Sequence, residues 1–281
     1  MLNINTNNGA IIAAKAAQNA QRQMDEAMER LSTGKKLNSA KDDPGSLSVA
    51  IRMTAEINSL SVSLKNASDA QSAVDTGEAA LAETQSLLLR LRELSVQAAT
   101  QTTTTADRAA LNSEVTALET EINRIGNSTT WGGINLLDGS FSKANPMVFQ
   151  IGPNNGDNLS FTMGYDQATS AADAQGTLGL TSDVTTRTNA SAYIATIDGA
   201  ISTISARRGS FGAVSNRLDS TIANLTNMKA NIETAKGQIV DTDYATETAK
   251  LARAQILMQA ATAMLAQANA SKQSVLSLLQ G

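Results

Sequence analysis

Histidine and cysteine are both absent from this 281-residue chain, and the first absence excludes more chemistry than any residue present. Without imidazole there is no Ser/His/Asp or Cys/His nucleophile, no helical zinc-protease motif, and little basis for a transition-metal site. Without thiols there is neither a disulfide framework nor thiolate catalysis. Aromatic residues make up 3% of the chain, with one tryptophan, although 42% of residues are hydrophobic. The apolar content is therefore aliphatic and alanine-rich, the composition of long helices rather than of a sandwich or a doubly wound sheet. Charge is sparse and nearly balanced: 22 basic against 26 acidic residues leave a formal charge of -4, no footprint for nucleic acid or a polybasic membrane patch. The expectations are a non-enzyme, no cofactor, no metal, no nucleic acid, no membrane, and protein partners.

Both ends of the chain are short of charge as well. The first charged residue is Lys15, so the opening apolar patch lacks the cationic lead of a secretory signal. Ala254 to Ser271, "AQILMQAATAMLAQANAS", has no charge at all. Its Gln255, Gln259, Thr262, Gln267 and Asn269 would make membrane insertion costly, so the run asks for some other solvent.

The three prolines, Pro44, Pro146 and Pro153, bracket long tracts without any, and those tracts are where helices are expected. Between Ser46 and Ile125 only Gly77 interrupts. Met53, Leu60, Ala67, Val74, Leu81 and Leu88 recur every seven residues, reinforced by Ile57 and Leu64, as a coiled-coil seam requires. This predicts a helix of about 45 to 50 residues. Thr104 and Asp107 form a capping pair for a second helix with Leu111, Val115, Leu118, Ile122 and Ile125 on its apolar face and Glu114, Glu119, Glu121 and Arg124 as polar neighbours. From Asn127 to about Ala190 most of the aromatics gather among Gly and Asp turns, and "MVFQIGPNNGDNLSFTMG" reads as a β-hairpin. A third long helix begins near Ala190, where Ile197, Ile204, Phe211, Leu218, Leu225, Ile232 and Ile239 also stand seven apart, weakened locally by Gly209, Gly212 and Gly237. Asp241 or Thr242 then caps a final helix.

Long seams of this kind point to a mainly α fold, an elongated helical bundle or coiled coil with a small β-hairpin region. The seam residues expected to pack within one subunit are Met53, Leu60, Leu64, Val74, Leu81 and Leu88 against Ile197, Ile204, Phe211, Leu218, Leu225 and Ile232. The uncharged terminal helices are built to pack on all sides, and copies of the chain are the expected neighbours.

Six stretches in order, "LSTGKKLNSAKDDPGSLSVA", "RLRELSVQAAT", "GGINLLDGSF", "FQIG", "RRGSFGAVSNRLDSTIANL" and "DTDYATETAKLARAQILMQAATAMLAQANASKQSVLSLL", resemble the bacterial flagellins. The resemblance implies a structural subunit that polymerises into the motility filament, secreted to the cell exterior. It implies an amino-terminal inner-tube and connecting segment over 1–43, an outer helical domain over 44–137 and 190–240, a short variable region over 138–189, and a returning inner-tube segment over 241–281. Leu257, Met258, Met264, Leu265, Leu276 and Leu279 would then bind the amino-terminal helix and neighbouring subunits. The implied partners are other copies, an export chaperone and type III export apparatus, hook-associated and cap proteins, and a flagellin-sensing Toll-like receptor. For that receptor the matching surface would comprise Arg90, Glu93, Leu94, Gln97 and Glu114, with Leu89 departing from the glutamine common in stimulatory members. A hook-filament junction protein and a secreted monomeric adhesin or immune ligand are the competing readings.

Simpler readings suffice for other motifs. Asn66, Asn127, Asn189 and Asn224 begin Asn-x-Ser/Thr triplets that a Ser/Thr/Asn-rich chain produces by chance. Asp42 and Asp43 read as a turn, and Gly34-Lys35 lacks the rest of a phosphate loop.

Overall fold

The computed structural model describes residues 6–141, 145–163, 178–180 and 183–280, with the side chains of the last helix described as far as Ser271. Five helices and two short strand pairs make up the described elements. In chain order they are α1 (Asn8–Thr33), α2 (Pro44–Ala99), α3 (Thr105–Ser128), β1 (Thr130–Trp131), β2 (Ile134–Asn135), β3 (Met147–Gln150), β4 (Asn158–Phe161), α4 (Arg187–Val240) and α5 (Tyr244–Gln280). The fold is mainly α, as the aromatic-poor composition predicts.

Local chemistry sets the helix starts. Asp43 Oδ1 accepts the Gly45 and Ser46 N–H groups at 3.0 and 3.1 Å, and Pro44, the first residue of α2, has no N–H to leave unpaired. The expected capping box opens α3: Thr104 Oγ1 accepts the Asp107 N–H at 3.2 Å, and Asp107 Oδ2 accepts the Thr104 N–H at 3.1 Å. The start of α5 differs from expectation. Asp243, not Asp241 or Thr242, caps it, accepting the Ala245 and Thr246 N–H groups at 2.9 and 3.3 Å. The two earlier residues are held elsewhere, since the Thr242 N–H donates to the Gly34 carbonyl at 3.0 Å and the backbone of Asp241 pairs with that of Lys35 as an isolated antiparallel β-bridge. Hydrogen bonds from Ser46, Thr104 and Thr246 hold the carboxyls of Asp43, Asp107 and Asp243 below the usual aspartate range.

Two helices run further than their patterns suggest. α2 has 56 residues, and α4 has 54 and begins at Arg187 rather than near Ala190. Neither Gly77 nor Gly209, Gly212 and Gly237 breaks them, because a glycine costs only about 1 kcal/mol of helix propensity against a continuous buried stripe.

The chain forms two compact units, Met1–Ile57 with Ala230–Gly281, and Asn58–Lys229, with the divisions falling inside α2 and α4. In the second unit α2 and α4 are antiparallel. Gln71 Nε2 donates to Ser215 Oγ at 2.6 Å, Arg208 meets Glu78 at 2.7 Å, and Arg92 meets Asp198 at 2.7 Å. Leu60, Ala67, Val74, Leu81 and Leu88 on α2 are buried, as are Ile197, Ile204, Phe211, Leu218 and Leu225 on α4. α3 adds Val115 and Ile122 to the same core.

Glu119 corrects the reading of α3. Expected on the polar side, it is 6% exposed, and its carboxylate accepts the buried Tyr193 hydroxyl. Position 119 lies four residues after Val115 and three before Ile122, so helical geometry places it on the apolar face. Burial first, then the bond to Glu119, pushes the Tyr193 hydroxyl well above its ordinary range. Tyr193→Phe should lower stability by about 1–2 kcal/mol, measured as a shift in denaturant midpoint. Wild-type stability should also decline as pH rises past 10.0, where an unfolded tyrosine ionises and the buried one does not; Tyr193→Phe should lose that share of the decline.

The β elements gather the scarce aromatics. β1 and β2 form a small hairpin that the sequence reading did not single out, closed by Gly132 and Gly133 with φ of 59° and 81°, as a two-residue primed turn demands. The expected hairpin pairs β3 with β4, Met147 opposite Phe161 and Phe149 opposite Leu159. Phe149 stacks on Phe161 at 5.9 Å and meets Trp131 edge-on at 6.3 Å, joining the two hairpins.

Candidate functional site

The first unit is organised by the pairing of α1 with α5. On α1, Ala13, Ala20 and Ala27 are buried at intervals of seven, with Ala10, Ala17, Met24 and Leu31 half-buried between and beyond them. On α5 the same alternation of three and four residues runs through Glu247, Leu251, Ala254, Met258, Ala261, Leu265 and Ala268, of which Glu247, Ala254 and Ala261 are buried. The helices are antiparallel: Asn7 Nδ2 donates to the Ala268 carbonyl at 3.1 Å, and Arg30 lies 3.7 Å from Glu247. Alanine at the deepest positions lets the two backbones approach closely. Gly9 also lies against α5, where a Cβ built on it would make an ordinary contact, 3.5 Å from that of Ala268.

The far end of the pair is tied by backbone. Gly34 ends α1 with φ 69°, its N–H returning to Arg30. The Lys36 N–H then donates to the Val240 carbonyl at 2.6 Å, and Asp42 Oδ2 accepts the Asn38 and Ser39 N–H groups at 3.0 and 2.8 Å. The Asp42–Asp43 pair is thus a turn followed by a helix cap, and its lowered Asp42 carboxyl follows from those backbone donors, Ser39 foremost.

One seam covers only part of each helix. Ile11 and Ile12 on α1 are 59% and 69% exposed, and Ile256, Leu257 and Met264 on α5 are 65%, 47% and 63% exposed. They stand among residues with no charge, before Lys15 on one helix and after Arg253 on the other. Large apolar side chains left exposed on both helices of one pair, with no charge among them, suit an interaction surface. Among the residues expected to assemble, Leu257 and Met264 lie on this outer surface, and Met258 and Leu265 are half-buried in the seam with α1. Leu276 and Leu279 lie outside the residues whose side chains are described. Ile11, Ile12 and Ile256 were not among the expected residues, although the lack of charge before Lys15 is the signal that leads to them.

The remaining expected residues fall elsewhere. Met53 and Ile232 in the first unit, and Leu64 in the second, are half-buried, while the other seam positions are buried. On α2, Arg90, Glu93 and Gln97 are exposed, as is Glu114 on α3. Arg90 donates through Nε and Nη2 to Glu114 Oε1 at 3.0 and 2.8 Å, and through Nη1 to Glu93 Oε2 at 3.0 Å. Those bonds, Glu114's first, raise the guanidinium above its usual value. Leu94 does not share this face: it is 1% exposed, inside the core with Leu91 and Ala98, so its side chain offers nothing to a partner. Among the described residues no group of His, Cys, Asp and Glu is placed to hold a metal, and no helix is long and apolar enough to cross a membrane.

Residues 4–142 match the bacterial flagellin N-terminal helical region, and residues 194–279 match the bacterial flagellin C-terminal helical region. Flagellin A of Vibrio cholerae is 30% identical over 380 residues, with 99% of this chain and 100% of the relative covered. That alignment is longer than this chain by about a hundred positions. A flagellin of Halalkalibacterium halodurans is 39% identical over 254 residues, covering 90% of this chain and 91% of the relative. A solved structure assigned as a flagellar hook-associated protein of Vibrio parahaemolyticus shares the fold, with a TM-score of 0.60 at 15% identity over 71% of this chain and all of that one. With both terminal helical regions matched and relatives at 30% and 39% identity aligned over at least 90% of both chains, the chain belongs to the bacterial flagellins and is a structural subunit of the flagellar filament.

Proposed function

We propose that this flagellin polymerises with copies of itself into the extracellular motility filament, and that the α1–α5 pair supplies the central contacts. The observation that carries this reading is the uncharged apolar face of Ile11, Ile12, Ile256, Leu257 and Met264, left uncovered within one chain. Burying it against identical neighbours removes apolar area from water without stranding a charge. Residues 1–43 and 241–281 then line the inner tube, 44–137 and 190–240 form the surrounding helical layer, and 138–189 forms a short outer region. Export through a type III apparatus with a chaperone on the carboxy-terminal segment, and contact with hook-associated and cap proteins, accompany this role. Arg90, Glu93, Gln97 and Glu114 form the surface proposed for a Toll-like receptor. No catalysis is part of this reading.

Seeded elongation tests it. Monomer added to short filament seeds should grow long tubes in electron micrographs, and a chain ending before Leu257 should stay soluble and fail to elongate. The hook-filament junction reading draws on the likeness to the hook-associated fold. It predicts that the full chain caps seeds after a limited number of additions, and a full chain that neither elongates nor caps would favour the monomeric ligand.

A further inference from the structure

Methionine is the one oxidisable side chain on the uncharged outer face, and its placement there is uneven. Met264 is 63% exposed on α5, whereas Met258, six residues earlier, is half-buried in the seam with α1. Leu257 and Met264 are seven residues apart and stand in one row along the helix, so the thioether continues the apolar surface that Leu257 begins. Elsewhere Met28 and Met228 are 44% and 38% exposed, and Met147 and Met163 are buried.

We infer that Met264 is an oxidation site through which peroxide blocks addition of the subunit to a filament. The inference rests on the assembly reading above. In the step, the thioether sulfur attacks one peroxide oxygen and the O–O bond breaks. Sulfur is oxidised by two electrons to the sulfoxide, and the other oxygen leaves as hydroxide and takes a proton to become water. The product carries a strongly polar S–O group where an apolar side chain stood. Of the residues one turn away, Ala260, Ala261 and Ala268 bring no side-chain donor and Gln267 alone does, so packing against a neighbour would desolvate that oxygen at a cost the thioether does not carry. Once assembled, Met264 is covered, so the free monomer is the sensitive form and the filament is protected. Methionine sulfoxide reductases reverse the change.

The test treats monomer with dilute hydrogen peroxide, maps oxygen uptake by peptide mass, and measures seeded elongation of the full chain. Met264 should oxidise first, followed by Met28 and Met228, with Met147 and Met163 last. Elongation of oxidised monomer should fall about tenfold or more and recover after reductase treatment. Met264→Leu, compared with its own untreated sample, should lose much less on oxidation. Full oxidation at Met264 with unchanged elongation, or equal sensitivity of Met264→Leu, would overturn the inference. Failure of untreated wild type to elongate would instead remove the assembly reading and the gating with it, while the order of oxidation is still decided by the peptide masses.

Discussion

Phe211→Ala should destabilise the second unit by about 3–5 kcal/mol, because it empties a buried ring from a core that cannot collapse around the gap. Phe211 is 1% exposed and occupies the centre of the α4 seam. Its ring edge lies over Gly77 of α2: a Cβ built there would come within 2.9 Å of Phe211 Cε2 and 3.7 Å of Met163 Cε. The glycine that looks like a defect in the α2 pattern is therefore the space the ring needs. A second substitution checks that account by its sign. Gly77→Ala alone should destabilise, since the ring is enclosed and cannot move aside. In the Phe211→Ala background the same change should stabilise by up to about 1 kcal/mol, the ordinary helical advantage of alanine over glycine. Denaturant unfolding followed by circular dichroism reads all four proteins; a Gly77→Ala effect of the same sign in both backgrounds would show that the ring and the glycine are not coupled.

Ala20→Glu should separate α1 from α5. Ala20 is 3% exposed in the middle of the seam, and the antiparallel register set by Asn7 with Ala268 and Arg30 with Glu247 places it level with the uncharged start of the 254–271 run. A carboxylate there would be desolvated between the alanines of the two helices and exceeds the space left by a methyl group. The expected cost is at least about 3 kcal/mol, enough to unpair the two helices without unfolding the second unit. Faster amide exchange in α1, new tryptic cleavage after Lys15 and Arg22, and failure of seeded elongation should appear together. Gln18→Glu, which adds the same charge at an exposed position of the same helix, should leave exchange and cleavage unchanged. Ala20→Glu with wild-type protection in α1 would place the seam elsewhere.

Much of this architecture was legible in the sequence because heptad spacing is a local property of the chain. The rows at Leu60 to Leu88 and Ile197 to Leu225 can be read from residue order alone, and the same positions are buried in the fold. The box of Thr104 and Asp107 and the β3–β4 hairpin are local in the same sense, since their partners lie a few residues apart. The misreadings share a different cause. Asp241 and Thr242 looked like caps, but the backbone of residues 34–36, distant in sequence, claims them. Glu119 looked like a solvated charge because Tyr193, its partner, lies 74 residues away. Leu94 looked available beside Arg90 and Glu93 until the core was assembled beneath it.

For the assembly surface, the sequence by itself determined composition and period: no histidine or cysteine, charge withheld from both ends, and apolar residues repeating every three and four positions. These follow from the order of side chains along a helix and need no partner to exist. Only the tertiary structure decided which side of each helix is used internally. Pairing α1 with α5 sends Ala13, Ala20, Ala27, Ala254 and Ala261 into a narrow seam and leaves Ile11, Ile12, Ile256, Leu257 and Met264 outside it. The physical reason is that two helices in contact cover only one stripe of each, and small residues allow the closest approach. In a nearly uncharged segment several stripes are apolar enough to serve, so it is the contact with the other helix that selects one and leaves the rest to face outward.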